Sequence, residues 1–318
     1  MATFTGLARR AILTPASSEV LFETRGFHIG TPEAKTVLEG IGRIFLDGFR
    51  IAVAGDGLAR VDRELARVEK DFRGFAFEGA AMAVALTDGL APFSHGRFGK
   101  FIEGPALPHT YMAHVGAGWA MARLPRSRWH CVIPDDPLLR WLALDGYGFH
   151  QGYFDTRRYV SECHGEAPMR QWPHCPDYIP RAIDQGIGRA LWFVAGADVQ
   201  HVVKLLRRFP ETRHADLWSG VGLAATYAGS ATTQQLEWLI GQAGDFQPEL
   251  AQGAAFAAKA RLLAGLVTRQ TTEAVEVLCN LSVGDAALIT DRALHGLPAD
   301  GAIPAYEIWR QRIQAELR

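Results

Sequence analysis

ALDGYGFHQGY, residues 143–153, sets three glycines, three aromatic rings, Asp145 and His150 between segments that read as helix. Glycine costs about 1 kcal/mol relative to alanine inside a helix, so keeping Gly146, Gly148 and Gly152 in one helix calls for a compensating gain. The same Gly-x-small pattern recurs along the chain: EGIGRI from Glu39, EGAAMA from Glu78, VGAGWA from Val115, DGYGFH from Asp145, QGIGRA from Gln185, SGVGLA from Ser219 and QGAAFA from Gln252. The first glycines are 40, 79, 116, 146, 186, 220 and 253, spaced by 39, 37, 30, 40, 34 and 33 residues. Helical-hairpin repeats have periods of this size, because a helix pair with its turns takes about 33–47 residues.

The reading is therefore an all-α helical-hairpin repeat array of about seven repeats, a HEAT- or TPR-like solenoid or an α/α toroid. Segments such as VLEGIGRIFLDGFRIA, RAIDQGIGRALWFV and TTEAVEVLCNLSV carry apolar residues near i, i+3 and i+4, the period of a helix with one buried face. Small residues two and four apart leave a flat strip on which a neighbouring helix can approach closely, and the packing gained offsets the poor propensity.

Pro/Gly-rich stretches at 91–109, 124–137 and 164–180 separate the helices,. The last divides 1–163, where the interruptions are long, from 181–318, where the repeats are tighter, within what reads as one continuous structural unit. Long insertions in a repeat array tend to gather on one face and build a site there. A pocket is thus expected in the N-terminal and middle repeats.

With 318 residues, 48% of them hydrophobic and 21% charged, the chain can bury a large core,. A formal net charge of -1 gives no field that would draw in a phosphate backbone, which argues against a nucleic-acid partner,. No run approaches the ~18 apolar residues of a membrane span, and the N-terminal stretch lacks the apolar core of a signal peptide. A cytoplasmic protein is expected. Cys131, Cys163, Cys175 and Cys279 are read as thiols, since four cysteines in a chain this long make no disulfide framework.

Candidate chemistry lies where the repeat is broken. Four residues after the first glycine the copies read Ile44, Ala83, Ala120, His150, Ala190, Ala224 and Ala257. An imidazole where five copies carry alanine needs space and a hydrogen-bond partner, either as a packed histidine or as a general acid or base. The residue before that glycine is Glu39, Glu78, Val115, Asp145, Gln185, Ser219 and Gln252. If equivalent helices line one surface, the six polar groups converge on it, as a structural ladder or as a site.

Glu39 and Gln185 have arginines four residues on, Arg43 and Arg189, which suits a structural role. Glu78 and Asp145 have none, and with His150 they are the candidate catalytic residues. Tyr147, Phe149, Tyr153, Trp119, Trp192, Trp218, Gln185 and Gln252 are the candidate substrate-binding residues. The aromatics are able to wall an apolar cavity and to steady cationic character through their ring faces.

The pairs His130-Cys131, Cys163-His164 and His174-Cys175 lack the spacing of zinc ligands,, so no metal is expected. No dinucleotide, phosphate-loop or nucleophile-elbow motif occurs, so no cofactor is expected either. IPDDP, with Asp135 and Asp136, resembles a magnesium-holding acid pair, but Asp136-Pro137 before an apolar helix reads better as an N-cap with proline in the first turn.

The stretches FRGFAFEGAAMA, PHTYMAHVGAGWAMARL, DPLLRWLALDGYGFHQGYF, DQGIGRALWFV, DLWSGVGLAATYAG and QGAAFAAKAR together resemble the UnbL-type proteins of bacterial enediyne biosynthetic clusters, a family of unknown function. The likeness runs from RGFHIG near residue 25 to AYEIWRQRIQ near the end. It implies a role in making or handling a specialised metabolite and supplies no catalytic residues. The expected function is cofactor-free acid–base cyclisation or isomerisation of an apolar polyene or polyyne. The alternatives are a non-catalytic metabolite-binding or scaffold protein and a terpene-cyclase-like protonation of a polyene. The expected partners are a polyketide- or isoprenoid-like metabolite and other biosynthetic enzymes.

Overall fold

The computed structural model describes residues 4–55, 57–91, 96–169, 172 and 175–318. Among them the chain forms helices, short helical turns and irregular connections, with no strand, so the all-α reading holds. Every Gly-x-small copy lies inside a helix: Pro32–Val53, Arg73–Leu90, Thr110–Arg123, Trp141–Phe154, Ile179–Val194, His214–Ala228 and Gln247–Leu263. Burial is fullest in Arg73–Leu90, where every residue from Gly74 to Gly89 is buried. A helix without a polar face is stable only when surrounded.

The connecting helices are shorter and one-sided. Leu58–Leu65 buries Val61 and Leu65, and Thr233–Ala243 buries Leu236, Leu239 and Ala243. Several begin on side-chain caps: Asp198 accepts from the amides of Gln200 and His201, and Thr232 forms a capping box with Gln235. Each cap satisfies amides that the first helical turn leaves without partners.

The chain divides into two compact units, Met1–Gly26 with Glu39–Tyr147, and Phe27–Leu38 with Gly148–Arg318. The expected connection at 164–180 lies inside the second unit. Segment 27–38 joins that unit through His28, whose amide donates to Val194 O at 2.9 Å and whose Nε2 meets Asp198 Oδ2 at 3.1 Å.

The glycines set a fixed register between inner helices. In the first unit a Cβ on Gly116 would lie 2.4 Å from Glu78 O, and one on Gly146 would lie 2.0 Å from Val115 O. In the second unit Gly220 faces Gln185 O at 2.0 Å and Gly253 faces Ser219 O at 1.9 Å in the same sense. Each of these four glycines thus packs on the carbonyl of the residue that precedes the first glycine in the copy before it. The second glycine faces the other way: Gly118 on Ala143 O, Gly148 on Ile183 O, Gly188 on Leu217 O and Gly222 on Leu250 O.

That register corrects the first copy. A Cβ on Gly40 would meet nothing within 4 Å, whereas Gly48 packs on Ala76 O and Gly79 on Phe45 O. The first helix therefore enters the ladder as FLDGFR from Phe45, not as EGIGRI from Glu39. Glu39 instead accepts from the Phe22 amide at 3.0 Å and pairs with Arg43 at 2.9 Å.

Candidate functional site

In the first unit the insertions at 91–109 and 124–137 frame a cleft of about 790 Å³, within the range of small-molecule sites. Phe98, Ile102, Leu107 and Ile133 supply its apolar walls, and Asp88, Glu103, His114, Arg128, His130, Cys131, Asp135 and Asp136 its titratable lining.

His114 lies on the Thr110–Arg123 helix, two residues before Gly116, and is 2% exposed. Its Nδ1 donates to Thr110 O, one turn back, at 2.7 Å. That bond fixes the tautomer and leaves Nε2 as the basic nitrogen. Nε2 has no hydrogen-bond partner among the described residues. Burial holds the His114 pKa below the usual histidine value, against the opposing pull of the Thr110 bond and the Asp136 charge. The imidazole is therefore neutral near pH 7.

The surrounding loops are pinned by their own polar groups. Asp88 Oδ2 accepts from the Phe98 amide at 2.9 Å. Arg128 donates to the carbonyls of Gly89 and Ala91. Asp136 Oδ1 accepts from the amides of Leu138 and Leu139, both at 2.8 Å, so Asp136 caps the turn at 137–140 that leads into the Trp141–Phe154 helix. His130 Nε2 lies 3.2 Å from Cys131 Sγ. Among the described residues no three His, Cys, Asp or Glu side chains are grouped to hold a metal ion. His174, of the pair His174-Cys175, lies outside those residues.

A second histidine of this unit couples stability to pH. His109 stacks on Phe77 with ring centroids 3.8 Å apart, its Nδ1 is buried without a partner, and burial together with Arg73 lowers its pKa from 6.5 to about 4. The unfolded chain takes up this proton below about pH 6.5 and the folded chain only near pH 4. The neutral ring's contribution is thus complete above pH 6.5 and is lost as the pH falls toward 4, by up to about 3 kcal/mol. His109→Phe keeps the stack and is expected to flatten that acid limb, read as the urea midpoint at stepped pH.

The other candidates fall in both units. In the first, Glu78 Oε1 accepts from Trp119 Nε1 at 3.0 Å, which brings two of them together. Asp145 is 1% exposed, and Tyr147 meets Trp129 edge-on at 5.4 Å.

In the second unit His150 Nδ1 pairs with Gln151 Oε1 at 3.1 Å. The Gln151 amide continues to Tyr159 OH, which donates to Glu166. Phe149 packs on Tyr153 and Phe193 and lies under the Arg189 guanidinium at 4.7 Å. Trp192 Nε1 donates to Gly229 O at 3.0 Å, and Trp218 is buried. These contacts are those of packed core rings.

Gln185 and Gln252 belong to a buried polar cluster that the sequence reading did not anticipate. Ser219 Oγ donates to Gln252 Oε1 at 2.8 Å, and Arg310 Nε donates to the same oxygen at 3.2 Å. Tyr306 OH donates to Gln185 Oε1 at 3.1 Å. Arg310, wholly buried on the Ala305–Glu316 helix, meets Asp216 at 2.6 Å and Glu307 at 3.0 Å. Arg181 also bridges Asp216 and Glu307. A buried arginine is tolerable only with partners of this kind. The one sequence signal was the i,i+3 pair Glu307 and Arg310.

His114 was missed because the ladder position of its copy is Val115 and the polar group stands one residue earlier. Only the fold brings it against the two insertions.

Fold and site define an all-α protein of glycine-packed inner helices with a loop-framed cleft carrying a neutral, tautomer-fixed histidine. The chain belongs to the family DUF1702, proteins of unknown function, whose family model matches residues 4–317. No curated protein and no solved structure matches it.

Proposed function

We propose that this protein is a cofactor-free acid–base enzyme of specialised-metabolite biosynthesis, working in the cytoplasm as a cyclase or isomerase on an apolar polyene or polyyne of the enediyne polyketide kind. The observation that carries the reading is His114: a buried, neutral imidazole whose Nδ1 is held by Thr110 O and which lines a cleft of mixed apolar and polar walls. The metabolite class rests on the resemblance to UnbL-type proteins.

In this reading Nε2 removes a proton from an activated C–H of the unsaturated chain. The imidazolium so formed is steadied by Asp136, whose charge acts on the ring. It then returns the proton to a different carbon, which shifts the unsaturation with no net change in atoms. Glu78, Asp145 and His150 form a second set of acid–base candidates for the same test.

The test is metabolite mass spectrometry of a producer strain lacking the gene, complemented at matched protein levels. An intermediate is expected to accumulate in the deletion strain, to be cleared by wild type and to persist with His114→Gln. Clearance by a folded His114→Gln protein would remove His114 from the chemistry. Failure of Glu78→Gln, Asp145→Asn or His150→Gln alone would move the site to that residue.

A further inference from the structure

Cys131 differs from the other three thiols in what its sulfur faces. Cys163 Sγ donates to Val160 O at 3.5 Å, Cys175 Sγ to Gly301 O at 3.1 Å and Cys279 Sγ to Ala251 O at 3.4 Å. A carbonyl oxygen holds a thiol hydrogen but does not take the proton. Burial also raises the pKa of these three, that of Cys279 to about 12. Cys131 Sγ lies instead 3.2 Å from His130 Nε2, a nitrogen base. The thiolate is the reactive form of cysteine, and a nucleophile within hydrogen-bond reach of a base is the basic unit of thiol catalysis.

The pair opens into a space that can hold a molecule. The short helical turn Arg126–Cys131 puts both residues in the lining of the cleft of about 790 Å³, and Cys131 is partly exposed there. The turn is anchored on both sides of the pair's approach. Arg128 donates to the carbonyls of Gly89 and Ala91, and the buried Trp129 donates to Met121 O at 2.9 Å.

Charge and shape describe what the thiol would meet. The lining sets the carboxylates of Asp88, Glu103, Asp135 and Asp136 against the one guanidinium of Arg128, so an anion, a phosphate-bearing thioester included, is repelled. The Cys131–His130 pair has no net charge before or after its proton moves, so the carboxylates steady the imidazolium as they oppose the thiolate. The apolar walls of the same cleft suit a hydrocarbon body. Addition to a polarised double bond asks of the protein only a nucleophile and a group that carries one proton, which are the two parts present.

We propose that Cys131, with His130 as its base, is a covalent binding site for a neutral α,β-unsaturated carbonyl compound. His130 Nε2 takes the proton from Cys131 Sγ as the sulfur adds to the β-carbon. The S–C bond forms, the C=C π bond breaks, and its electron pair passes to the carbonyl as an enolate. The imidazolium then gives the proton to the α-carbon, which leaves a thioether with no oxidant or reductant consumed. The same steps in reverse release the compound. The site shares the cleft with the acid–base reading but makes no use of His114, and its readout, an adduct on Cys131, needs no conversion of a metabolite.

The test is time-resolved peptide mass spectrometry of the protein treated with N-phenylmaleimide, a neutral unsaturated carbonyl reagent, and with N-(4-carboxyphenyl)maleimide, its anionic counterpart. Each rate is divided by that of the same reagent with N-acetylcysteinamide. With N-phenylmaleimide, Cys131 is expected to react at least about tenfold faster than Cys163 and Cys175 and to saturate with reagent concentration. His130→Gln is expected to slow it by at least about tenfold, and the anionic reagent to be several-fold slower at Cys131. Labelling of Cys131 no faster than of Cys163 and Cys175, an unchanged rate in folded His130→Gln, or equal relative rates for the two reagents would overturn the proposal. The wild-type comparison decides even if His130→Gln fails to fold, because the other thiols of the same molecule are its reference.

Discussion

Gly253→Ala lowers the stability of the protein by at least about 3 kcal/mol, and Gly118→Ala does the same from the first unit. The new methyl carbon would stand 1.9 Å from Ser219 O in one case and 1.9 Å from Ala143 O in the other. Both obstacles are backbone inside a helix, so relief requires moving an inner helix by more than an ångström in a close-packed interior. Overpacking of even a flexible core typically costs about 1–3 kcal/mol, and here no side chain can swing aside. Gly40→Ala is the control, because it removes a helix glycine with nothing within 4 Å of the new carbon. It is expected to raise stability by up to about 1 kcal/mol. Urea midpoints of the three variants check the account. A Gly253→Ala protein as stable as wild type would mean that the inner helices do not meet at the glycines.

Arg310→Met is expected to destabilise by about 3–5 kcal/mol, the usual cost of removing one partner from a buried ionic cluster. The loss comes from what stays behind: Asp216 and Glu307, 1% and 2% exposed, keep Arg181, whose side chain is 41% exposed, as their cationic partner. Tyr178 and Gln252 also lose a donor. Combining Arg310→Met with Asp216→Asn and Glu307→Gln removes the stranded charges, so the triple variant should recover part of the midpoint. Arg269→Met, which breaks an exposed pair with Glu273, should leave it unchanged. If the triple variant is no better than Arg310→Met, the cost lies in packing of the arginine stem and not in charge.

The repeat was legible because helix-period apolar residues and closely spaced small residues are local features, and both survive in the fold. The first copy was misread for the same reason. EGIGRI satisfies the local pattern as well as any copy, but only the neighbouring helix reveals that Gly48 and Phe45 make the contact. Gln185, Ser219 and Gln252 were legible as a row, since equivalent positions in stacked helices must line up. Their partners Tyr306 and Arg310 lie more than fifty residues further along the chain, and no spacing rule connects them. The cleft was foreshadowed by its two long insertions. His114 was not, because a histidine beside an apolar ladder position looks like a packed core residue until its ring is seen to line that cleft.

The most direct test of the acid–base account is deuterium incorporation. The intermediate that accumulates in the deletion strain is incubated with purified protein in D₂O, and the product is analysed by mass spectrometry and NMR. The account predicts that wild type converts the intermediate, with deuterium entering at the carbon that gains the proton in those turnovers in which the imidazolium exchanges with solvent before returning it. It also predicts that the acid limb of the rate lies below the ordinary histidine value, since burial lowers the His114 pKa. Folded His114→Gln should give no conversion. Conversion by His114→Gln at the wild-type rate, or wild-type binding of the intermediate with neither conversion nor exchange, would contradict it.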